Sequence, residues 1–190
     1  MMMPQPRRVS VATNFETLNA FTRALVAKHR SPEIEAHEDV YAGLLGAWDV
    51  QVRNRADDGT FEVIAGEWYF ARTLEGRAVQ DVWIAPTRAS RRGGVARANL
   101  YGTSVRAFDP QTRRWLVTWI NPATGAFAVL NTRKAGERLV QEGELSDGHS
   151  IRWIFQEITD TTFHWTGETQ LPDGCWRLDA ELFGRRFESL

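Results

Sequence analysis

The chain has 190 residues, with 23 Lys+Arg against 24 Asp+Glu, and at 21.6 kDa it is the size of one domain with a modest appendage. Balanced charge argues against a dedicated nucleic-acid binder, which depends on a large positive field, and a hydrophobic content of 43% suits a real core. One cysteine excludes an intramolecular disulfide and cysteine-based metal cages, and 4 scattered histidines with no HxxxH or HxH spacing give no preformed metal site, so neither metal nor cofactor is expected.

At the start, Arg7-Arg8 is not followed by the apolar stretch of a secretory signal. No segment approaches the ~18 apolar residues of a membrane span. Residues 1–12 therefore read as a disordered tail on a cytoplasmic protein. Thr13 and Glu16 form a T-x-x-E capping box, and Phe15, Leu18, Phe21, Leu25 and Val26 recur at helical spacing, so a helix is expected to about Lys28. Ser31-Pro32 supplies an N-cap and a first-turn proline for a second helix, with Ile34, Tyr41, Leu44 and Leu45 as its apolar stripe. These helices, residues 13–45, pack on the main domain, act as a lid, or join two copies as a homodimer.

From Gly46 the period changes to two. Nine turn signals, from Asp57-Asp58-Gly59 to Asp173-Gly174, separate ten segments, the later ones at the spacing of antiparallel hairpins. No helix-length insert lies between strands, so parallel crossovers are excluded. An even number of consecutive antiparallel strands can close and lose its edges. The expectation is mainly β: a ten-stranded antiparallel meander closed into a barrel over residues 46–186. Trp48/Val50/Val52, Trp115/Val117/Trp119, Ile151/Trp153/Phe155 and Phe163/Trp165 read as inner faces. Ala78–Ala85 is ambiguous: Gln80 or Asp81 must point inward, and an unpaired buried polar group costs several kcal/mol.

Leu44-Leu45-Gly46-Ala47-Trp48 resembles the opening of calycin-type barrels: lipocalins, fatty-acid-binding proteins and nitrobindins. Gly76–Pro86, Tyr101-Gly-Thr, and Phe108-Asp-Pro through Trp115 to Thr118-Trp-Ile-Asn-Pro122 resemble a bacterial family of calycin-like barrels that has no settled activity. The resemblance covers roughly residues 40–186 and implies a fold and a cavity, but no reaction. It also implies a basic residue of the last strand, Arg185 or Arg186, stacked on Trp48. Nitrobindin-like members hold haem through a late-strand histidine; Cys175–Phe183 has none, and His164 is one strand earlier, which argues against haem.

The candidate chemistry follows from these faces. Asp81, if inward, is a carboxylate in an apolar cavity suited to proton transfer, with Tyr101 on the next strand as its partner; otherwise it faces out or pairs with a buried arginine. His164 and Glu168 share a face as a further acid/base candidate, although that face should lie outside. Trp68, Trp83, Asn99, Trp119, Asn131 and Trp153 are candidate ligand contacts, since a few convergent polar groups orient a ligand between apolar walls. Arg88, Arg91, Arg92 and Arg97 crowd one loop and are either solvated or form a portal for an anion. Two functions follow: a binder or carrier of a small hydrophobic or aromatic molecule, or a cofactor-free lyase, isomerase or cyclase using an acid–base pair in the same cavity. Neither nucleic acid nor membrane is expected as a partner.

Overall fold

The computed structural model of the chain describes residues 15–91 and 100–187. One helix, α1 (Phe15–Leu25), precedes ten strands: β1 (Gly46–Arg55), β2 (Phe61–Thr73), β3 (Ala78–Ala85), β4 (Leu100–Asp109), β5 (Arg114–Asn121), β6 (Ala126–Ala135), β7 (Arg138–Leu145), β8 (Ser150–Gln156), β9 (Thr162–Gln170) and β10 (Trp176–Arg186). Each strand pairs antiparallel with its chain neighbours, and β10 returns to β1 to close the barrel. The closing register runs from Trp48 opposite Arg186 to Asn54 opposite Ala180. The period-two pattern produces this directly, because alternate side chains line the interior and closure leaves no edge to aggregate. Trp48, Val50, Val52, Phe155, Phe163 and Leu182 are buried in one contiguous core.

The second helix expected over residues 31–45 does not form. That stretch is a strap with two isolated 3-10 turns, Ala36–Glu38 and Ala42–Leu44. Its apolar residues Ile34, Tyr41 and Leu44 are fully buried, but in the barrel rather than along a helix. Besides the short bonds of its own turns, the strap and the residues leading into it bond to the barrel. Ala27 N donates to Arg72 O at 2.8 Å and Ser31 N to Gly76 O at 3.1 Å. An isolated helix of this length is marginal, and these tertiary anchors outcompete it. Gly76 permits the contact: its φ is +78°, and a Cβ there would lie 2.2 Å from the His29 carbonyl oxygen. Further along the strap, Glu38 accepts from Arg113 and from Trp115 Nε1, and Gly43 meets Ile158. The strap thus crosses the β2–β3, β4–β5 and β8–β9 connections and closes that end of the barrel.

Trp48 anchors the closed end. Its Nε1 donates to Leu44 O at 2.7 Å, its ring meets Phe163 edge-on at 4.8 Å, and the Arg186 guanidinium stacks over it at 4.1 Å. The expected tail, Thr13, Arg92, Arg97 and Asn99 lie outside the described residues. Among the described residues, no helix is long and apolar enough to cross a membrane.

Candidate functional site

The inner face of β3 carries Val79, Asp81, Trp83 and Ala85, all buried, while Gln80 faces outward and donates to Thr103 Oγ1. Strand register places Asp81 opposite Ser104, so Arg106, two residues on, shares its inward face. Both carboxylate oxygens of Asp81 are engaged: Oδ1 accepts from Ser104 N at 2.9 Å and Oδ2 from Arg106 Nη1 at 2.6 Å. Each side chain of this ion pair is 1% exposed. The Arg106 guanidinium lies over the rings of Tyr41, Phe70 and Phe155 at 5.1, 5.3 and 5.7 Å, where their faces favour a cation. Below it, the Tyr41 hydroxyl bonds to Thr132 Oγ1 at 2.6 Å and accepts from Gln141 Nε2 at 2.8 Å. Burial pushes the Tyr41 hydroxyl above its ordinary pKa, against the opposing pull of Arg106.

Above the ion pair stands a box of indoles. Trp68 and Trp83 stack at 5.5 Å and 25°, Trp165 closes on Trp83 at 5.8 Å, and Trp119 meets Trp153 edge-on at 5.5 Å. With Asp81, Ser104 and Arg106 they surround a cavity of about 10 Å³, the room of roughly one water molecule. Trp119 and Trp153 are only half-buried and sit towards the β5–β6 and β7–β8 connections, at the end away from the strap. Three buried N–H donors in this lining have no acceptor: Trp68 Nε1, Trp83 Nε1 and Arg106 Nε. Leaving such a group unpaired costs about 1–3 kcal/mol each.

Trp68, Trp83, Trp119, Trp153 and Asp81 thus come together around this cavity. Four expected residues do not. Tyr101 pairs opposite Ile84, points outward at 45% exposure, and lies under the Arg91 guanidinium at 5.3 Å. A residue three positions from Ser104 falls on the opposite face of the strand, so the Asp81–Tyr101 juxtaposition does not exist. His164 lies on the outer wall, stacked on Phe183 at 4.6 Å. Its Nδ1 meets Gln156 Nε2 at 2.9 Å and its Nε2 meets Glu181 Oε1 at 3.0 Å, so neither nitrogen is free for chemistry. Glu168 is likewise outward, bound to Arg152 at 2.6 Å. Asn131 is exposed, between Leu116 and Glu142 on the outer sheet.

Of the loop arginines, Arg88 is tied to Glu67 and Tyr69, and Arg91 to the carbonyls of Ala85, Pro86 and Leu100. Both are fastened to the barrel and not poised for an anion. Glu67 is consequently held below the usual carboxylate range: burial raises it, but Tyr69 and Arg88 outweigh burial. Cys175 is free and exposed. Among the described residues, no group of three His, Cys, Asp or Glu could hold a metal.

Sequence reasoning missed Arg106, Ser104, Tyr41 and Trp165 as members of the site. Arg106 alternates with Ser104 and Phe108 on a strand whose other face, Thr103/Val105/Ala107, is no more polar. The one available signal was Asp81 itself, which needs a buried partner if it faces inward.

No family model matches the chain, and no curated protein matches it. Solved structures do. The chain is similar to Rv2717c from M. tuberculosis, with a TM-score of 0.58 at 12% identity over 84% of this chain and 100% of that one. It is also similar to the S-type phycobiliprotein lyase CPES from Guillardia theta, with a TM-score of 0.56 at 9% identity over 83% of this chain and 96% of that one. At these identities the likeness shows the barrel fold and no particular family within it.

Proposed function

We propose that the protein is a receptacle for a small aromatic molecule, which it binds among the indoles above the Asp81–Arg106 pair. The observation that carries this reading is the cavity itself: tryptophan walls, a fixed buried cation, and donors left without acceptors behind a half-buried pair, Trp119 and Trp153. Flat indoles suit a flat ligand, and a ligand can meet donors that no group among the described residues meets. The closed cavity of about 10 Å³ holds one water and no aromatic ring, so binding requires Trp119 and Trp153 to swing aside and enlarge it, as interface side chains commonly do on binding.

The rival reading, a cofactor-free lyase or isomerase, draws on the structural neighbour titled a phycobiliprotein lyase and on Asp81. It is disfavoured by the site chemistry. Both oxygens of Asp81 are committed, and among the described residues no second acid or base lines the cavity with it: Tyr101 and His164 are outside, and the Tyr41 hydroxyl lies below Arg106, committed to Thr132 and Gln141. An enzyme needs an acid and a base near one point; a binder does not.

The test is titration with N-phenyl-1-naphthylamine, a neutral probe whose emission rises in an apolar site. Saturable one-to-one binding is expected, and its absence would refute the receptacle. In this proposal the protein works in the cytoplasm, and α1, which leaves Leu18 and Phe21 exposed, joins two copies; Phe21→Glu should then sediment as a monomer.

A further inference from the structure

The cavity is richer in donors than in acceptors. Trp68 Nε1, Trp83 Nε1 and Arg106 Nε are buried N–H groups without a partner. Among the described residues the only carboxylate in the lining, Asp81, already serves Ser104 and Arg106. Charge, by contrast, is balanced: Arg106 and Asp81 cancel at 2.6 Å, and every other lining side chain is an indole or Ser104.

These two facts select the occupant by chemistry. An amine or other cation would add donors to a wall of donors. A carboxylate would accept their bonds, but it would place a desolvated charge where the one cation is already neutralised. A plain hydrocarbon would fit the indoles and leave the donors unmet. An uncharged carbonyl oxygen on an aromatic frame satisfies both conditions.

We infer that the site is specific for a neutral aromatic carbonyl compound, a ketone, quinone or lactam, whose oxygen accepts from the indole N–H groups of Trp68 and Trp83 beside Arg106. This inference rests on the receptacle reading and names the class of its ligand. Asp81 then has a positioning role: it holds Arg106 against the aromatic floor and cancels its charge, which is what turns an anion site into a carbonyl site.

The experiment is isothermal titration calorimetry of the unaltered protein with three probes of one shape: 2-acetylnaphthalene, 2-isopropenylnaphthalene and 2-naphthoate. The ketone should bind about tenfold tighter than either of the others, the scale of one hydrogen bond gained. Trp83→Phe keeps the flat wall and removes one donor. It should bring the ketone close to the alkene, the readout being the ratio of the two affinities within the variant. Should that variant fail to fold, the three probes on the unaltered chain decide alone. Equal binding of ketone and alkene overturns the inference and leaves the receptacle standing. Tightest binding by naphthoate overturns the charge argument and with it the inference. Binding by none of the three overturns the inference and the receptacle reading together.

Discussion

Replacing Asp81 with asparagine keeps the shape of the side chain and removes its charge. The structure makes the consequence calculable in order of magnitude. At about 4 Å between charge centres, and the effective dielectric of ~20 that describes protein sites, the attraction from Arg106 is about 4 kcal/mol. Arg106 is only 1% exposed, so the variant leaves a buried cation without its counter-charge, for which about 3–5 kcal/mol is the general scale. For a denaturant slope of about 2.5 kcal/mol/M in urea, the midpoint should fall by about 1.5 M. The assay is urea unfolding followed by fluorescence of the 8 tryptophans. The control is the double variant Asp81→Asn/Arg106→Met, which removes both charges and should recover most of the loss, because the pair and not either charge is what the interior tolerates. If Asp81→Asn costs under about 1 kcal/mol, or if the two changes simply add, the ion pair is not the centre of this core and the reasoning fails.

Three further outcomes are expected. Trp48→Ala should cost about 3–5 kcal/mol by opening a cavity in the closed end, read by the same urea unfolding. Tyr41→Phe leaves Gln141 and Thr132 without their shared partner and should cost about 1–3 kcal/mol. Because burial raises Tyr41 above 10.0, the folded state keeps a proton the unfolded state loses, so the contribution is full below pH 10.0 and fades at higher pH; the phenylalanine variant should flatten the alkaline limb of the stability curve. Glu67 behaves in the opposite sense. Its folded value is below 4.5, so its contribution is present above pH 4.5 and is lost as the pH falls through the lowered value. Glu67→Gln should flatten the acid limb in a calorimetric pH series.

The barrel was legible because its signals are local and redundant. Alternation within each strand and Gly, Asn or Pro at each turn point to the same answer, and closure followed from an even strand count. The segment 31–45 misled for a physical reason. Ile34, Tyr41 and Leu44 have helical spacing, yet what orders them is burial in the barrel core, with Tyr41 bonded to Thr132 and Gln141 far along the chain, which periodicity cannot report. Inside the barrel, the indole walls followed from face patterns, while the mixed faces of β3 left Gln80 and Asp81 as alternatives for the inward place. Tyr101 was misplaced because sequence alone leaves the parity of the β3–β4 register open, and one residue of slip exchanges inside for outside. Arg106 was illegible for the converse reason: an arginine in a strand ordinarily marks the solvent face, and only its pairing with Asp81 reverses that.

The central claim, that unpartnered indoles inside the barrel receive a carbonyl ligand, is tested most directly by NMR of the tryptophan side-chain N–H groups with and without 2-acetylnaphthalene. Trp48 and Trp115 donate to the carbonyls of Leu44 and Glu38 and should hold their positions as internal references. The account predicts that the Trp68 and Trp83 resonances move downfield together as the ketone saturates, since both gain an acceptor. Resonances of Trp68 and Trp83 that stay unmoved at saturation would contradict it.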